Sequence, residues 1–410
     1  MKVLFVTKGS FGTKDATGSM LNNIFDGLDC SILQYSLRPN YNIDINPIKS
    51  VSMLSPVRYS IFSWVITYCN KVAGGNIFWR IVKSICVYLD SIIPPVVSNK
   101  EFDIINSFSP DAIYTLAADV KVLRVSRILA KRLRKPIVIH NMDDYYNMDF
   151  HSSNIFRRHL NSVLRSEYIK AYKYSHKSLG IGPQMAKEYS EEFGIPFDWV
   201  MNCVDTDKIK VDKELNDNLS LIVFSGGLHG GRSHSLSKIA RIVEGLGDVK
   251  LEIYTSKQDI GRYNTLFVGF KRTELHEYVE KDKMFENLSR ADVLLHVESF
   301  EPQNIRYFRL SMSTKIPEYM AVCRPILCVG PENMSTVDFI KEQGIGYVVN
   351  DFNELEATLI KLKDKIIRKI VVDHALIVFE QYFRKEMMQQ RLRATLYYNT
   401  GFAEGPLKLK

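Results

Sequence analysis

Short runs of consecutive apolar residues alternate with longer stretches of helical period along most of this chain. In the first half the runs are Val3–Thr7, Ser31–Tyr35, Ala112–Leu116, Ile137–His140 and Ser178–Ile181. In the second half they are Leu221–Ser225, Lys250–Tyr254, Leu266–Val268, Val293–Val297, Ile326–Val329 and Gly346–Val349. Most are near-continuous rather than alternating, which marks strands buried on both faces of a parallel sheet. Strand–helix alternation then predicts a doubly wound α/β architecture. A polar stretch from Asp205 to Asn218, with seven Asp, Glu or Asn residues, divides the two series and reads as a linker. The pattern therefore predicts two Rossmann-like domains facing across a cleft. The first covers residues 1–203, with a helical insertion over about 50–100, and the second covers 204–375. A last amphipathic helix, roughly Ala375 to Tyr398 within 376–400, is expected to pack back toward the first domain.

Composition narrows the class. The 410 residues are 46% hydrophobic and 24% charged, the balance of a globular protein. The six cysteines are scattered, with no C-x-x-C and no zinc spacing, so reduced thiols in a cytoplasmic setting are expected. Met1 to Gly9 reads as a first strand rather than a signal peptide. No apolar run reaches 18 residues, which predicts no membrane span.

The net charge of +8 is unevenly placed. Residues 1–200 hold 24 Lys/Arg against 17 Asp/Glu, while the remainder is nearly balanced at 30 against 29. A basic first half suggests an anionic contact there. Residues 57–97 add to this, being aromatic and lightly basic with one acid, Asp90. They read either as helices covering the first domain or as a flap on a membrane interface. Lys121, Arg124, Arg127, Lys131, Arg134 and Lys135 recur at helical spacing, as a solvated face or as a contact for anionic lipid headgroups. No nucleic-acid recognition motif accompanies them.

The chemistry concentrates in a few segments. Ser313 and Thr314 are expected to open a helix in which Lys315 and Glu318, three apart, project on one side. Its unpaired N–H groups suit a phosphate, and Glu318 can accept from sugar hydroxyls. Leu221–Ser225 leads into Gly226-Gly227-Leu228-His229-Gly230-Gly231-Arg232, a glycine-rich loop expected to open a helix from Ser235. Its glycines permit close backbone approach to a phosphate that Arg232 would neutralise, although an unliganded turn fits as well. His140 is expected at a strand's carboxyl end, where active sites form. Asp143 and Asp144 after it are candidate bases or helix caps. Asp205-Thr206-Asp207 has the D-x-D spacing of a metal site, but its place in the linker favours turn formation.

Taken together these residues resemble the bacterial family-4 glycosyltransferases of the GT-B fold, nearest to those of O-antigen and capsular polysaccharide synthesis. Asn202-Cys203-Val204-Asp205-Thr206 resembles the family's interdomain lead-in. Gly226 to Arg232 resembles its donor pyrophosphate loop, and Lys315-Ile-Pro-Glu318-Tyr-Met-Ala321 its Lys-x-x-Glu-Tyr-x-Ala signature, whose Glu contacts the donor ribose. His140 falls where the family places a cleft His, and Gly9 and Thr17-Gly18-Ser19 echo its first-loop glycines. The family's first glutamate, eight before Glu318, is replaced by Leu310, leaving Glu298, Glu301 or Lys315 to supply that function.

The resemblance implies a retaining transfer from a nucleotide-sugar to a glycan or undecaprenyl-diphosphate-linked acceptor, without metal or other cofactor. His140 and Lys315 would be catalytic. Gly226, Gly227, Arg232, Ser313, Thr314 and Glu318 would bind the donor, its base near Gly269 and Phe270. Gly9, Gly18, Asp143 and Asp144 would lie on the acceptor side, and the enzyme would sit on the inner face of the plasma membrane. A sugar-nucleotide epimerase of the same fold and a non-enzymatic cytosolic binding protein are the alternatives.

Overall fold

The computed structural model describes residues 1–8, 11, 16–37, 51–54, 61–72, 77–117, 119–147, 155–209 and 214–401. Gly9 and parts of the 57–97 segment lie outside the described residues. The chain forms two compact units, Met1–Met201 with the chain from Gln389 onward, and Asn202–Met388.

Unit 1 runs β1 (Lys2–Thr7), α1 (Ala16–Phe25), β2 (Ser31–Ser36), β3 (Val51–Leu54), α2 (Ile61–Val72), α3 (Ile77–Ile92), α4 (Asn99–Phe108), β4 (Ala112–Leu116), α5 (Val120–Leu133), β5 (Ile137–Asn141), α6 (Ile155–Tyr172), β6 (Ser178–Gly180), α7 (Pro183–Phe193) and β7 (Phe197–Trp199). Its seven strands pair in the order β3-β2-β1-β4-β5-β6-β7, all parallel, with Val3 opposite both Ile32 and Ala112. The apolar runs are central: Val3, Leu4, Val6, Ile113 and Ile137 to Ile139 are fully buried. Neither β3 nor β7 was expected from the apolar pattern. Both are edge strands, covered on fewer sides and hence less uniformly apolar.

Unit 2 runs β8 (Leu221–Ser225), α8 (Arg232–Leu246), β9 (Lys250–Thr255), α9 (Lys257–Tyr263), β10 (Thr273–Glu277), α10 (Lys281–Ser289), β11 (Val293–Val297), α11 (Pro302–Phe308), α12 (Ile316–Ala321), β12 (Ile326–Val329), α13 (Ser335–Glu342), β13 (Gly346–Val349), α14 (Leu355–Lys361) and α15 (Lys365–Tyr382), and a last helix, α16 (Lys385–Thr400), belongs to unit 1 from Gln389 onward. The six strands are again all parallel, ordered β10-β9-β8-β11-β12-β13. Ile222, Leu236, Ile239, Leu251, Leu295 and Leu327 are among the buried side chains that pack this unit's core.

Two expected elements are corrected. Leu266–Val268 is not a strand: residues Asn264–Phe267 form one 3-10 turn that drops Phe267 into the core, and the edge strand is the polar β10. The single final helix is two, α15 and α16, parted at Phe383, whose ring is fully buried and whose N–H donates to Phe379 O at 2.8 Å. Beyond the break, Gln389 Nε2 donates to Ile24 O at 2.9 Å and Asp26 O at 2.8 Å, tying the second part of α16 into unit 1.

Candidate functional site

In each sheet the first strand is flanked by strands that follow opposite connections, so the loops at its carboxyl end diverge and leave room for a ligand. In unit 2 this point lies between β8 and β11. The loop after β8 begins at Gly226 and ends at Gly231, which caps α8 with φ +81° and no capping side chain. A Cβ on Gly231 would meet Ser299 Oγ at 2.2 Å, so only glycine lets the backbone pass. From below, the Asp259 carboxylate accepts the Leu228 N–H at 3.0 Å and the Thr255 hydroxyl at 3.3 Å. Tyr319 places its hydroxyl between the ends of β8 and β11, accepting from Ser225 N at 3.1 Å and lying 3.3 Å from Leu295 O.

Arg232 is the first residue of α8, three positions earlier than the expected start. Its Nη2 and Nε donate to Glu298 Oε2 at 2.9 and 3.2 Å, and Nε is also 3.2 Å from Val297 O. On the other side His296 Nε2 holds Glu298 Oε1 at 3.0 Å. Burial pushes the Glu298 carboxyl upward, but the Arg232 charge and the His296 hydrogen bond outweigh it and hold it at about 2. A permanently ionised glutamate thus fixes the guanidinium at the strand end, with Phe308 packed against it at 5.2 Å. The remaining Arg232 nitrogen, Nη1, makes none of these bonds.

Ser313–Glu318 forms a second wall. The expected helix start at Ser313 and Thr314 is corrected. These two residues lie in the turn before α12, which is only six residues long, begins at Ile316 and has no side-chain cap. Lys315 Nζ donates to Glu318 Oε2 at 2.9 Å, and Asn202 Nδ2 reaches Thr314 O at 2.8 Å and Glu318 Oε1 at 3.2 Å. Burial alone would lower the Lys315 pKa, but the Glu318 charge and hydrogen bond raise it, so the ammonium stays charged. Tyr278 follows β10. Its N–H donates to Thr255 O at 2.9 Å, and its hydroxyl lies within the electrostatic influence of Lys315 and Arg232.

The other anticipated residues sit elsewhere. Gly269 has φ +94° with open space around it, and Phe270 packs on the core of unit 2. They follow a 3-10 turn and not a strand, so the loop at that edge of the sheet begins at Tyr278 instead. Glu301 accepts from Asn304 Nδ2 at 2.8 Å, and Leu310 is fully buried. Asp205 is 3.7 Å from Lys385 Nζ beside a 3-10 turn at Thr206–Lys208.

In unit 1, Gly18 lies inside α1 and not in a loop. His140 is fully buried within β5. Its Nδ1 lies 2.5 Å from the Tyr114 hydroxyl and its Nε2 2.8 Å from Val200 O. Both nitrogens are satisfied if the ring is neutral, and burial lowers its pKa to about 4. Asp144 is buried and accepts from the Tyr189 hydroxyl at 2.7 Å, while Asp143 lies 3.2 Å from the Tyr145 hydroxyl. These aspartates pin the loop after β5.

The divergence point of unit 1, between β1 and β4, is closed by Lys8 Nζ and Asp119 Oδ2 at 2.6 Å. A cavity of about 170 Å³ opens there, walled by Ile66, Val87, Leu160 and Leu164 opposite the ion pairs Lys8–Asp119 and Asp90–Lys121.

Sequence reasoning passed over Tyr278 and Asp259, read Tyr319 only as part of a signature, and gave Arg232 no carboxylate partner. Only the Lys315–Glu318 spacing of three announced its pair.

No family model and no curated protein matches the chain. Solved structures do. The HepE protein of Anabaena in complex with UDP and glucose aligns with a TM-score of 0.64 at 13% identity, over 97% of this chain and 99% of that one. Sucrose-phosphate synthase from Thermosynechococcus elongatus aligns at 0.64 and 10% identity over 98% and 99%. The lipopolysaccharide outer core galactosyltransferase WaaB, in its apo form, aligns at 0.57 and 13% over 97% and 99%. At these identities the likeness is one of fold, and it covers nearly the whole chain: this is the two-domain α/β architecture called GT-B.

Proposed function

We propose that the chain is a retaining glycosyltransferase that moves a sugar from a nucleotide-sugar to a glycan or lipid-diphosphate-linked acceptor in bacterial surface polysaccharide synthesis. The observation that carries this reading is the cluster at the divergence point of unit 2. There a glycine-capped helix start, Arg232 and Lys315 converge on the ends of β8 and β11.

The donor pyrophosphate lies against Gly226–Gly231, with Arg232 Nη1 and the uncommitted Lys315 N–H groups as donors. The Glu318 carboxylate takes the ribose hydroxyls and Tyr278 flanks the base. As the glycosidic bond breaks, negative charge builds on the leaving diphosphate. Donors already held by Glu298 and Glu318 stabilise that charge without reorganising, and they do so without a metal. Lys315 is the leaving-group counter-charge. Glu298 positions Arg232 and takes the place of the glutamate missing at Leu310. The acceptor belongs to the cavity of unit 1, and the setting is the cytoplasmic membrane surface. HepE bound to UDP and glucose supports a uridine nucleotide as the first donor to try.

A thermal-shift panel of UDP-, GDP- and dTDP-sugars tests this, since a ligand bound only by the native state raises the melting temperature by mass action. One family of nucleotide-sugars is expected to stabilise the protein. Glu318→Ala is expected to weaken that ligand by about ten-fold or more, the loss of a charge-assisted hydrogen bond. No response to any nucleotide-sugar, or an unchanged affinity in the variant, removes the assignment. Chelator is expected to leave transfer intact.

A further inference from the structure

Three neighbouring helices of unit 1 share an unusual surface. α2 and α3 pack as a hairpin and α3 also lies on α6, where the Tyr88 and His159 rings meet at 5.3 Å. On α3, Phe78, Ile81, Ile85 and Ile92 are 60, 54, 38 and 44% exposed. Their spacing of three, four and seven sets them in one stripe along the helix. On α2, Trp64 and Tyr68, one turn apart, are 47 and 54% exposed. The outer face of a helix covering a soluble domain would ordinarily be polar here.

The charges say what kind of surface it meets. These three helices carry seven Lys/Arg, Lys83 and Arg158 among them, against two acids, Asp90 and Glu167. Both acids are buried. Asp90 holds Lys121 Nζ at 2.5 Å, and Glu167 lies 3.2–3.3 Å from Arg124, Arg127 and Lys170. The face is therefore apolar and aromatic, basic at its margins, and without an exposed carboxylate among the described residues. Nucleic acid would give the isoleucines nothing to stack on. Trp and Tyr beside aliphatic residues and Lys/Arg suit the headgroup–acyl boundary of an anionic bilayer. Among the described residues no helix is long and apolar enough to cross a membrane, so the contact is one of lying on it. The same helices supply Ile66, Val87, Leu160 and Leu164 to the cavity, giving it an apolar wall toward this face and a charged one at the strand ends. That division fits an amphiphile.

We propose that α2, α3 and α6 form a docking face for an anionic lipid bilayer, with the Phe78–Ile92 stripe, Trp64 and Tyr68 seated at its interface. This deepens the acceptor half of the proposed function, and its test requires neither donor nor turnover. The full chain is sedimented with vesicles of phosphatidylcholine alone and of phosphatidylcholine mixed with phosphatidylglycerol. Binding is expected to the mixed vesicles only, weakening with salt, with a blue shift of tryptophan emission that Trp64→Phe removes. Ile81→Asp combined with Ile85→Asp is expected to lower partitioning by about ten-fold or more. Lys83→Glu and Arg158→Glu are each expected to lower it about five-fold. Each variant should retain the wild-type melting temperature, because the altered side chains are exposed or at the surface. A wild-type chain left in the supernatant with anionic vesicles overturns the proposal. So does a double variant that binds undiminished, or binding to an acidic polypeptide or single-stranded DNA in place of vesicles. A chain that pellets but answers to no nucleotide-sugar leaves the docking face standing and removes the catalytic reading.

Discussion

The divergence points of the two sheets use one topological feature in different ways. In unit 1, between β1 and β4, Lys8 and Asp119 face each other at 2.6 Å, with side chains 39 and 29% exposed. Asp119 spends its other oxygen on the N–H groups of Lys121 and Val122 at the start of α5. In unit 2, between β8 and β11, the glutamate is 5% exposed and its arginine 19%, and the backbone beside them runs through two glycines with positive φ. A neutralised, hydrated pair with a cavity beside it can accept a ligand by shape. A buried carboxylate that fixes a cation next to open backbone N–H groups is built to meet new negative charge. Burial therefore separates the two roles more than residue type does.

The sharpest way to break this comparison is to remove the cation from each pair. Arg232→Met strands the ionised Glu298 inside unit 2 and is expected to cost about 3–5 kcal/mol. Lys8→Met removes a pair already screened by water and is expected to cost no more than about 1 kcal/mol. Urea unfolding, with hydrogen exchange assigning the loss to peptides of each unit, reads both. Equal losses would show that exposure is not what separates the two pairs.

Acid gives a smaller effect with a definite order. The His140 pKa is depressed to about 4 from an unfolded value near 6.5. The unfolded chain then binds the extra proton first, so this contribution is complete above about 6.5 and is lost as pH falls toward 4. By pH 5 unit 1 should have lost about 2 kcal/mol, at about 1.4 kcal/mol per pH unit. Glu298, held at about 2, contributes fully above its unfolded value near 4.5 and fades only as pH falls from there toward 2. Hydrogen exchange corrected for intrinsic rate is thus expected to show β5 and β6 losing protection at pH 5 while β8 and β11 keep theirs. The reverse order would place the acid-sensitive group in the wrong unit.

The legible parts of the fold were those in which burial repeats locally. Val3–Val6, Ile222–Phe224 and Val293–Leu295 are covered on both faces, and an unbroken apolar run says so. β10 reads Thr-Glu-Leu-His-Glu because it is an edge strand with only one neighbour, β9. The apolar Leu266-Phe267-Val268 imitated a strand because a single turn was enough to bury Phe267. In the site, the glycine loop and Lys315–Glu318 were visible because each is contiguous in sequence. The Arg232–Glu298 pair spans 66 positions and exists only because β8 and β11 are neighbours. His140 invited a chemical role by its place at the carboxyl end of a strand, and only its neighbours Tyr114 and Val200 show a satisfied interior group.

The displaced strand supplies the smallest test. Gly269 has φ +94°, yet a Cβ there would touch nothing within 4 Å. Gly269→Ala therefore carries backbone strain alone, expected at about 1–2 kcal/mol. Because β10 ends at Glu277, the proposed site sets Tyr278, rather than Gly269 or Phe270, beside the donor base. The expected result is a melting temperature lowered by a few degrees and a nucleotide-sugar Kd within about two-fold of wild type, since the strain lies outside the ligand contacts. Tyr278→Ala should do the opposite, weakening the ligand several-fold with little change in melting temperature, because its half-exposed ring contributes little to the core. If the glycine variant weakens binding and the tyrosine variant does not, the base returns to Gly269–Phe270. In that case Arg232 and Lys315 would grip the diphosphate from a different direction than the end of β10 implies.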